Sequence, residues 1–507
     1  MTEPRAAWRE SAAVEAGVAL LVALVVGTVA GILRAPGVLY ADSGELLTAV
    51  ARKGMAHPPG FPLYLLLGGW WLDLTKFLSA TTASRLNLFS SVCDGATAGC
   101  IAASASCAFR RVNPGLSPGV RLALVALAGF LAGFGPTLFD FSLGIEVYAP
   151  HAFFIAAALL FAVRAGGADD PRTRRWCTLL AGLGAGGGLA IHHATMVVVL
   201  PGLALLLWGE EARADRWKRV GLFVLGLAPG LGTYALLPLR ARHQPVLNWG
   251  DPSNAFRFWN HITAHDYQVN IENSLSTIVD HAGRFLDSYR AEFSLAGLAL
   301  AAAGAVLLFR KGRWVGAGLL LVILGDIAFA VRYEIAEDQA AYYIPTFLAT
   351  ALLVVLGLAA LLSRIPPRRL ALRNAAVAAS LVAATALIAH NVNSRSRSGD
   401  RRAMESVENF LASAPQGSVV FTPEWNLYAP VLAARDVDGK RPDLLVIDIL
   451  LLRRGWYLDA FASRHPERYQ EVKEAFDSYR AALAGWEERR PYDGDQLTRL
   501  LNGFTES

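Results

Sequence analysis

The chain has 507 residues, of which 54% are hydrophobic and only 18% charged. That balance excludes a pair of ordinary soluble domains and points to an integral membrane protein with room for one modest soluble unit. The net charge of +5 is carried by short basic clusters between apolar runs, which membrane topology explains without nucleic acid as a partner.

In chain order, apolar stretches long enough to cross a bilayer fall at 14–33, 85–108, 120–138, 148–164, 176–192, 194–208, 217–238, 294–310, 314–331, 342–363 and 370–391. The first is too long for a signal-peptide core and precedes no convincing cleavage site, so it reads as a retained span. A further stretch, 61–78, starts at a Pro-rich turn and contains Asp73 and Lys76. Read as a helix on the membrane surface, it leaves Arg110/Arg111, Arg172/Arg174/Arg175, Arg213/Arg216/Lys218/Arg219, Arg310/Lys311/Arg313 and Arg364/Arg368/Arg369 all on the cytoplasmic side. About eleven spans follow, with the N-terminus inside and the C-terminus outside.

One outer face then collects the first loop at 34–84, residues 139–147, the long loop 239–293, the turn 332–341 and everything after about 392. Cys93, Cys100 and Cys107 recur at heptad spacing in one apolar helix, a packing face and no metal-ligand pattern. Past the polar linker "NVNSRSRSGDRR", the segments "GSVVFT" and "DLLVIDI" read as buried strands, and 401–413, 424–434 and 467–486 as helices. The expected organisation is a membrane domain at 1–391 and a small α/β domain at 392–507.

The first outer loop holds Asp42, Glu45 and His57 in "YADSGELLTAVARKGMAHPPGFPLY". Asp42 and Glu45 fit a capping box, with Gly54 as the stop of the helix. The same carboxylates, partly desolvated at the membrane boundary, suit proton transfer. The paired prolines after His57 make a rigid turn that could hold the imidazole in place. On the same side, Asp140 reads as a solvated loop charge, and Glu146, which precedes Tyr148 and opens a span, as the better site candidate.

Arg85, Arg240 and Arg242 sit at the outer boundary, where basic residues are disfavoured. Snorkelling to headgroups is one account, and a bound phosphate another. His192 and His193 end the fifth span on that face with no Cys or Glu at ligand spacing, so no metal is expected there. Asp94 and Asp326 lie inside apolar helices and read as functional charges by default.

The segments "ADSGELLTAV…MAHPPGFPLYLLLG", "EVYAPHAFF", "LPLRARHQPVLNWGDP" and "RPDLLVIDILLLRRGWY" resemble the polytopic GT-C glycosyltransferases. More narrowly, they resemble the domain-of-unknown-function family that contains transmembrane protein 260, a protein O-mannosyltransferase. The resemblance implies a GT-C-like helical membrane protein with a small extracytoplasmic α/β domain. It also implies transfer of a mannose-like hexose from a polyprenyl-phosphate donor in the bilayer to an acceptor hydroxyl on protein or glycan.

Carried over, the catalytic carboxylates fall on Asp42 and Glu45. The family's HPPG turn falls on His57 to Gly60 and its second-loop glutamate on Glu146, and the full set expected to bind donor or acceptor is His57, Arg85, Glu146, Tyr148, His192, His193, Arg240, Trp249 and Asp251. A common family pattern has an asparagine–histidine pair near the end of the fifth span, where this chain has His192 and His193. No cofactor is implied, a divalent metal is left open, and a bacterial-type inner membrane is the expected location. A transporter or flippase with eleven spans and helix-breaking glycines such as "GLGAGGGLA" is the rival reading. Transporters place charges near the midplane, whereas most carboxylates here gather at one edge.

Overall fold

The computed structural model describes residues 3–112, 116–208, 213–335, 338–487 and 494–506. Residues 336 and 337 of the expected 332–341 turn lie outside them. The long apolar segments are helices because a backbone in hydrocarbon must satisfy its own hydrogen bonds. The first helices are α1 (Glu3–Leu33), α2 (Ser43–Ala51), α3 (Pro62–Leu74), α4 (Thr82–Val112), α5 (Pro118–Gly133), α6 (Pro136–Ser142), α7 (Tyr148–Gly166) and α8 (Pro171–Trp208). There follow α9 (Arg213–Gly232), α10 (Leu236–Ala241), α11 (Ala255–Ile262), α12 (Leu275–Lys311), α13 (Arg313–Ala330), α14 (Ile344–Arg364) and α15 (Leu370–Arg395). Among the described residues, nine helices are long and apolar enough to cross a membrane, or ten if α5 and α6, bent by 62°, make one crossing.

This count falls short of the eleven expected segments because 176–192 and 194–208 share one element. α8 is broken at His192, whose backbone leaves the helical region (φ −144°, ψ 87°), and the chain turns back there. The first arm runs parallel to α9, since Gly182 abuts Phe223 and Gly226 while Gly186 abuts Leu227 and Gly230. The second arm returns to bring Leu206 against Gly166 and Trp208 against Arg219. A single straight crossing could not meet α9 in parallel through so short a connection.

α3 is too short to span. It buries Pro62, Tyr64, Leu65, Gly68 and Leu72 and exposes Trp70 and Leu74, as a helix at an interface would. The trunk is built around α14, buried along most of its length, and α4, which packs on α1, α5 and α7. At one end of the bundle, Arg111, Arg174, Arg219, Arg310, Lys311 and Arg313 line a common cleft. At that end Glu15 pairs with Arg110 and Arg121, each at 2.8 Å. The first loop, the 239–274 segment and the C-terminal unit sit at the other end.

The C-terminal unit contains α16 (Arg402–Ser413), β1 (Val419–Thr422), α17 (Trp425–Asp436), β2 (Leu445–Asp448), α18 (Gly455–Arg464), α19 (Pro466–Glu471), α20 (Lys473–Glu487) and α21 (Gly494–Glu506). The strands pair in parallel, Val419 opposite Leu445, with α17 in the crossover, so this is a small α/β unit. The helix expected at 467–486 is two helices that meet at Val472. Two ion pairs, Arg395 at 3.3 Å and Arg397 at 2.9 Å from Asp140, fasten the linker to α6. Asp140 is therefore a structural anchor and not the solvated charge expected of it.

Candidate active site

The apolar run after Asp42 forms α2, and its spacing sets Asp42 just before the helix and Glu45 in its first turn. The expected capping box does not form: Asp42 makes no side-chain cap bond, and both carboxylates turn to His57 instead. Glu45 is fully buried and takes the His57 backbone N–H on Oε1 and the ring Nδ1 on Oε2, both at 2.7 Å. Asp42 Oδ2 lies 3.7 Å from the other ring nitrogen, Nε2. An imidazole thus stands between two carboxylates.

The turn that carries His57 is tied down on both sides. Met55 N–H donates to the Leu247 carbonyl at 2.7 Å. Gly60 adopts φ +88°, a left-handed conformation that favours glycine, and a Cβ there would also meet the His261 ring. Phe61 lies edge-on to His57 at 4.9 Å between ring centres. Burial opposes a charge on His57, but the Glu45 and Asp42 carboxylates hold its pKa up at about 9. The ring is therefore an imidazolium at neutral pH. Burial pushes the Glu45 carboxyl up against the pull of His57, and two N–H groups aimed at its oxygens favour leaving the proton on the ring.

Asp42 and His57 line a cavity of roughly 370 Å³ that also admits Glu146, Tyr148, His192, His193, Tyr267 and Asp338. Val197, Val198, Phe329 and Ile335 make part of its wall apolar. His192 enters because the α8 chain reversal puts it there. Its Nδ1 lies 2.9 Å from Thr195 Oγ1, which is 2.7 Å from His151 Nε2. Burial, reinforced by Asp338, Asp42 and Glu45, pushes the Glu146 carboxyl well above its usual range. A smaller cleft of roughly 190 Å³, bounded by Tyr40, Asp140, Arg397 and Arg402, shares Glu146 and Asp338 with the main cavity.

Of the expected site residues, Asp42, His57, Glu146, Tyr148, His192 and His193 meet in this cavity, and Glu45 stands directly behind His57. The others lie apart. Arg85 donates Nη1 to the Leu72 carbonyl at 2.9 Å, which fastens α3 to α4. Arg240 reaches the Gly54 carbonyl at 3.4 Å. Asp251 pairs with Arg257 and accepts from Asn248. Trp249 stacks outside the cavity, with its ring centre 6.3 Å from His57 and 5.0 Å from Trp456.

Among the described lining residues none is Arg or Lys, while Arg397 and Arg402 line the adjoining smaller cleft. Asp94 and Asp326 are buried away from the main cavity. Asp326 Oδ2 accepts from the backbone and hydroxyl of Thr346 at 3.0 and 2.7 Å, a packing role. Ligand atoms of Asp42, Glu45 and His57 lie within 4.8 Å of one another, so these three could hold a cation if the His57–Glu45 bond were given up.

Three contributors were not anticipated. Asp338 accepts the Tyr148 hydroxyl at 3.2 Å. Tyr267 closes the cavity from the long loop. Trp425 donates its indole N–H to Asp42 Oδ1 at 2.9 Å. None stands in a local pattern that a sequence could flag.

Residues 42–213, from the first-loop carboxylate to just past α8, match the family described as Protein O-mannosyl-transferase TMEM260 N-terminal domain. Protein O-mannosyl-transferase TMEM260 of Mus musculus is 25% identical over 457 residues, covering 84% of this chain and 61% of that protein. The Dictyostelium discoideum protein of the same name is 22% identical over 308 residues, 57% of this chain and 36% of that protein. The chain therefore spans less than two thirds of either relative's length.

Among solved structures, ArnT from Cupriavidus metallidurans bound to undecaprenyl phosphate superposes with a TM-score of 0.56 at 13% identity, covering 86% of this chain and 90% of that one. The Archaeoglobus fulgidus oligosaccharyltransferase in complex with Zn and sulfate gives 0.50 at 12% identity, covering 87% of this chain and 69% of that one. The shared architecture is the GT-C fold, and the chain is a multi-pass membrane protein.

Proposed function

We propose that this chain is a membrane glycosyltransferase that moves a mannose-like hexose from a polyprenyl-phosphate donor to an acceptor hydroxyl, on protein Ser or Thr, with inversion at the anomeric carbon. The observation that carries this reading is Asp42, held between an indole N–H and an imidazolium at the edge of a partly apolar cavity. The names of the TMEM260 relatives and the undecaprenyl phosphate bound to ArnT support the reaction class and the lipid donor.

The acceptor oxygen attacks the anomeric carbon as its proton passes to Asp42 Oδ2. The bond from that carbon to the phosphate oxygen breaks, and the phosphate leaves with the electron pair. Phosphate needs no strong acid to depart, and the His57 imidazolium supplies positive charge near the developing anion. Glu45, with both oxygens engaged by His57, orients the imidazolium. Glu146, in the cavity wall, is placed to hydrogen-bond a sugar hydroxyl.

In this reading the site end faces the extracytoplasmic side of a bacterial-type inner membrane, with the N-terminus in the cytoplasm. An impermeant maleimide should then label Ser79→Cys and spare Asp169→Cys in a chain without its native cysteines. The activity test is release of mannose from a short-chain polyprenyl-phosphate mannose by purified protein. A transporter or flippase would leave that donor chemically intact, and so would sink the proposal.

A further inference from the structure

We infer that the C-terminal unit is a working part of the reaction centre, in which Trp425 and Asn426 are positioning residues for Asp42. This rests on the reading of Asp42 as the base. Two consecutive residues at the start of α17 hold two consecutive residues of the first loop. The Trp425 indole N–H donates to Asp42 Oδ1 at 2.9 Å, and the Asn426 side-chain oxygen accepts the Ala41 backbone N–H at 2.8 Å.

Ala41 needs such a hold. Its φ of +57° is left-handed, a region that an alanine adopts only when its surroundings impose it. α17 also lies hard against α2: a Cβ added at Gly44 would collide with the backbone of Ala429 and Pro430. The indole is fixed in turn by rings, with centres 5.7 Å from Tyr428 and 6.3 Å from Trp249.

These contacts decide which oxygen of Asp42 works. A carboxylate at a helix start would ordinarily turn to its own amides, yet Asp42 makes no such bond. With Oδ1 occupied by the indole, Oδ2 is the oxygen turned to His57. Base catalysis depends on that aim, because a misplacement of about 1 Å can cost on the order of a hundredfold in rate. The C-terminal unit therefore sets the geometry of the group that removes the proton.

Trp425→Phe keeps the ring and removes only the N–H. With water as acceptor and short-chain polyprenyl-phosphate mannose as donor, its kcat should fall about tenfold, with the donor KM within about twofold and thermal stability unchanged. In an Asp42→Asn background the same change should lower the residual rate no further, since its effect runs through Asp42. A second readout needs no substrate: Trp425→Phe should speed carbodiimide modification of Asp42, followed by peptide mass spectrometry, and Asn426→Ala should do the same. Unchanged kcat in Trp425→Phe, an equal further loss in the Asp42→Asn background, or an unchanged modification rate would each overturn the inference. An unmodified chain that leaves the donor intact speaks against the proposed reaction, and the modification arm still decides whether Trp425 holds Asp42.

Discussion

Glu45 grips His57 twice, taking its backbone N–H on one oxygen and its ring Nδ1 on the other, each at 2.7 Å. The grip fixes the position and tilt of the ring and leaves Nε2 to face Asp42. It also separates the two carboxylates of the first loop by role. Asp42 is part-exposed at the cavity, whereas Glu45 has no exposed surface.

Asp42→Asn should therefore lower turnover by roughly a hundredfold to ten-thousandfold, the usual contribution of a positioned base, with donor binding retained. Glu45→Gln should act differently. It breaks a buried pair and should cost roughly 3 kcal/mol of stability, while part of the turnover survives. Thermal denaturation and single-turnover transfer, run side by side on the two variants, separate the roles. Equal stability and equal loss of rate would remove the distinction.

The raised pKa of His57 gives the pair a direction in pH. Below the ordinary value of 6.5 the ring is charged folded and unfolded, and the stabilisation is fully present. As pH rises through about 9 the folded ring loses its proton and the stabilisation goes. The melting temperature should thus fall between pH 7 and pH 10 by more in the parent chain than in His57→Gln, and turnover should decline over the same interval. Parallel pH curves for parent and variant would contradict this.

Burial and the carboxylates around it push the Glu146 carboxyl up, towards the neutral acid that its amide isostere imitates. Glu146→Gln should keep turnover within about threefold, whereas Glu146→Ala, which leaves a void and unpartnered donors, should lose about ten times more or worse. Initial rates over a range of donor concentrations decide the matter. A collapse of kcat in Glu146→Gln would mean that its charge is used.

A protonated imidazole has no lone pair for a metal, and Glu45 already uses both oxygens on His57. Exhaustive chelation should accordingly leave turnover within about twofold at neutral pH, although Asp42, Glu45 and His57 are close enough to ligate an ion. Rates before and after dialysis against a chelator, then with Mg²⁺ or Mn²⁺ restored, make the check. A tenfold rescue by the metal would show that the ion displaces the His57–Glu45 bond.

The first-loop cluster was legible because Asp42, Glu45 and His57 are near neighbours in sequence and the rigid turn after His57 is written in its prolines. The capping box named the right residues and the wrong partner, since a side chain 383 residues away competes successfully for Asp42. Asp338 was hidden for the same reason. The guanidinium groups of Arg85 and Arg240 meet backbone carbonyls of Leu72 and Gly54, a use of charge that looks identical, in sequence, to waiting for a phosphate. The parallel strands of the C-terminal unit were visible as short apolar runs, and its grip on the first loop was not.

α8 reverses at a single residue, His192, and so has no hydrophilic tip to be translocated. Its two ends carry Arg172, Arg174 and Arg175 on one arm and, past the other, Arg216, Lys218 and Arg219. The arms should enter the bilayer as one hairpin, with a basic cluster at each end available to orient it. Neutralising either cluster alone should leave the hairpin correctly inserted, by glycosylation-site or cysteine mapping, and neutralising both should not. Sequence drift at one flank is thereby buffered by the other, and the histidine at the bend keeps its place in the cavity while the flanks vary.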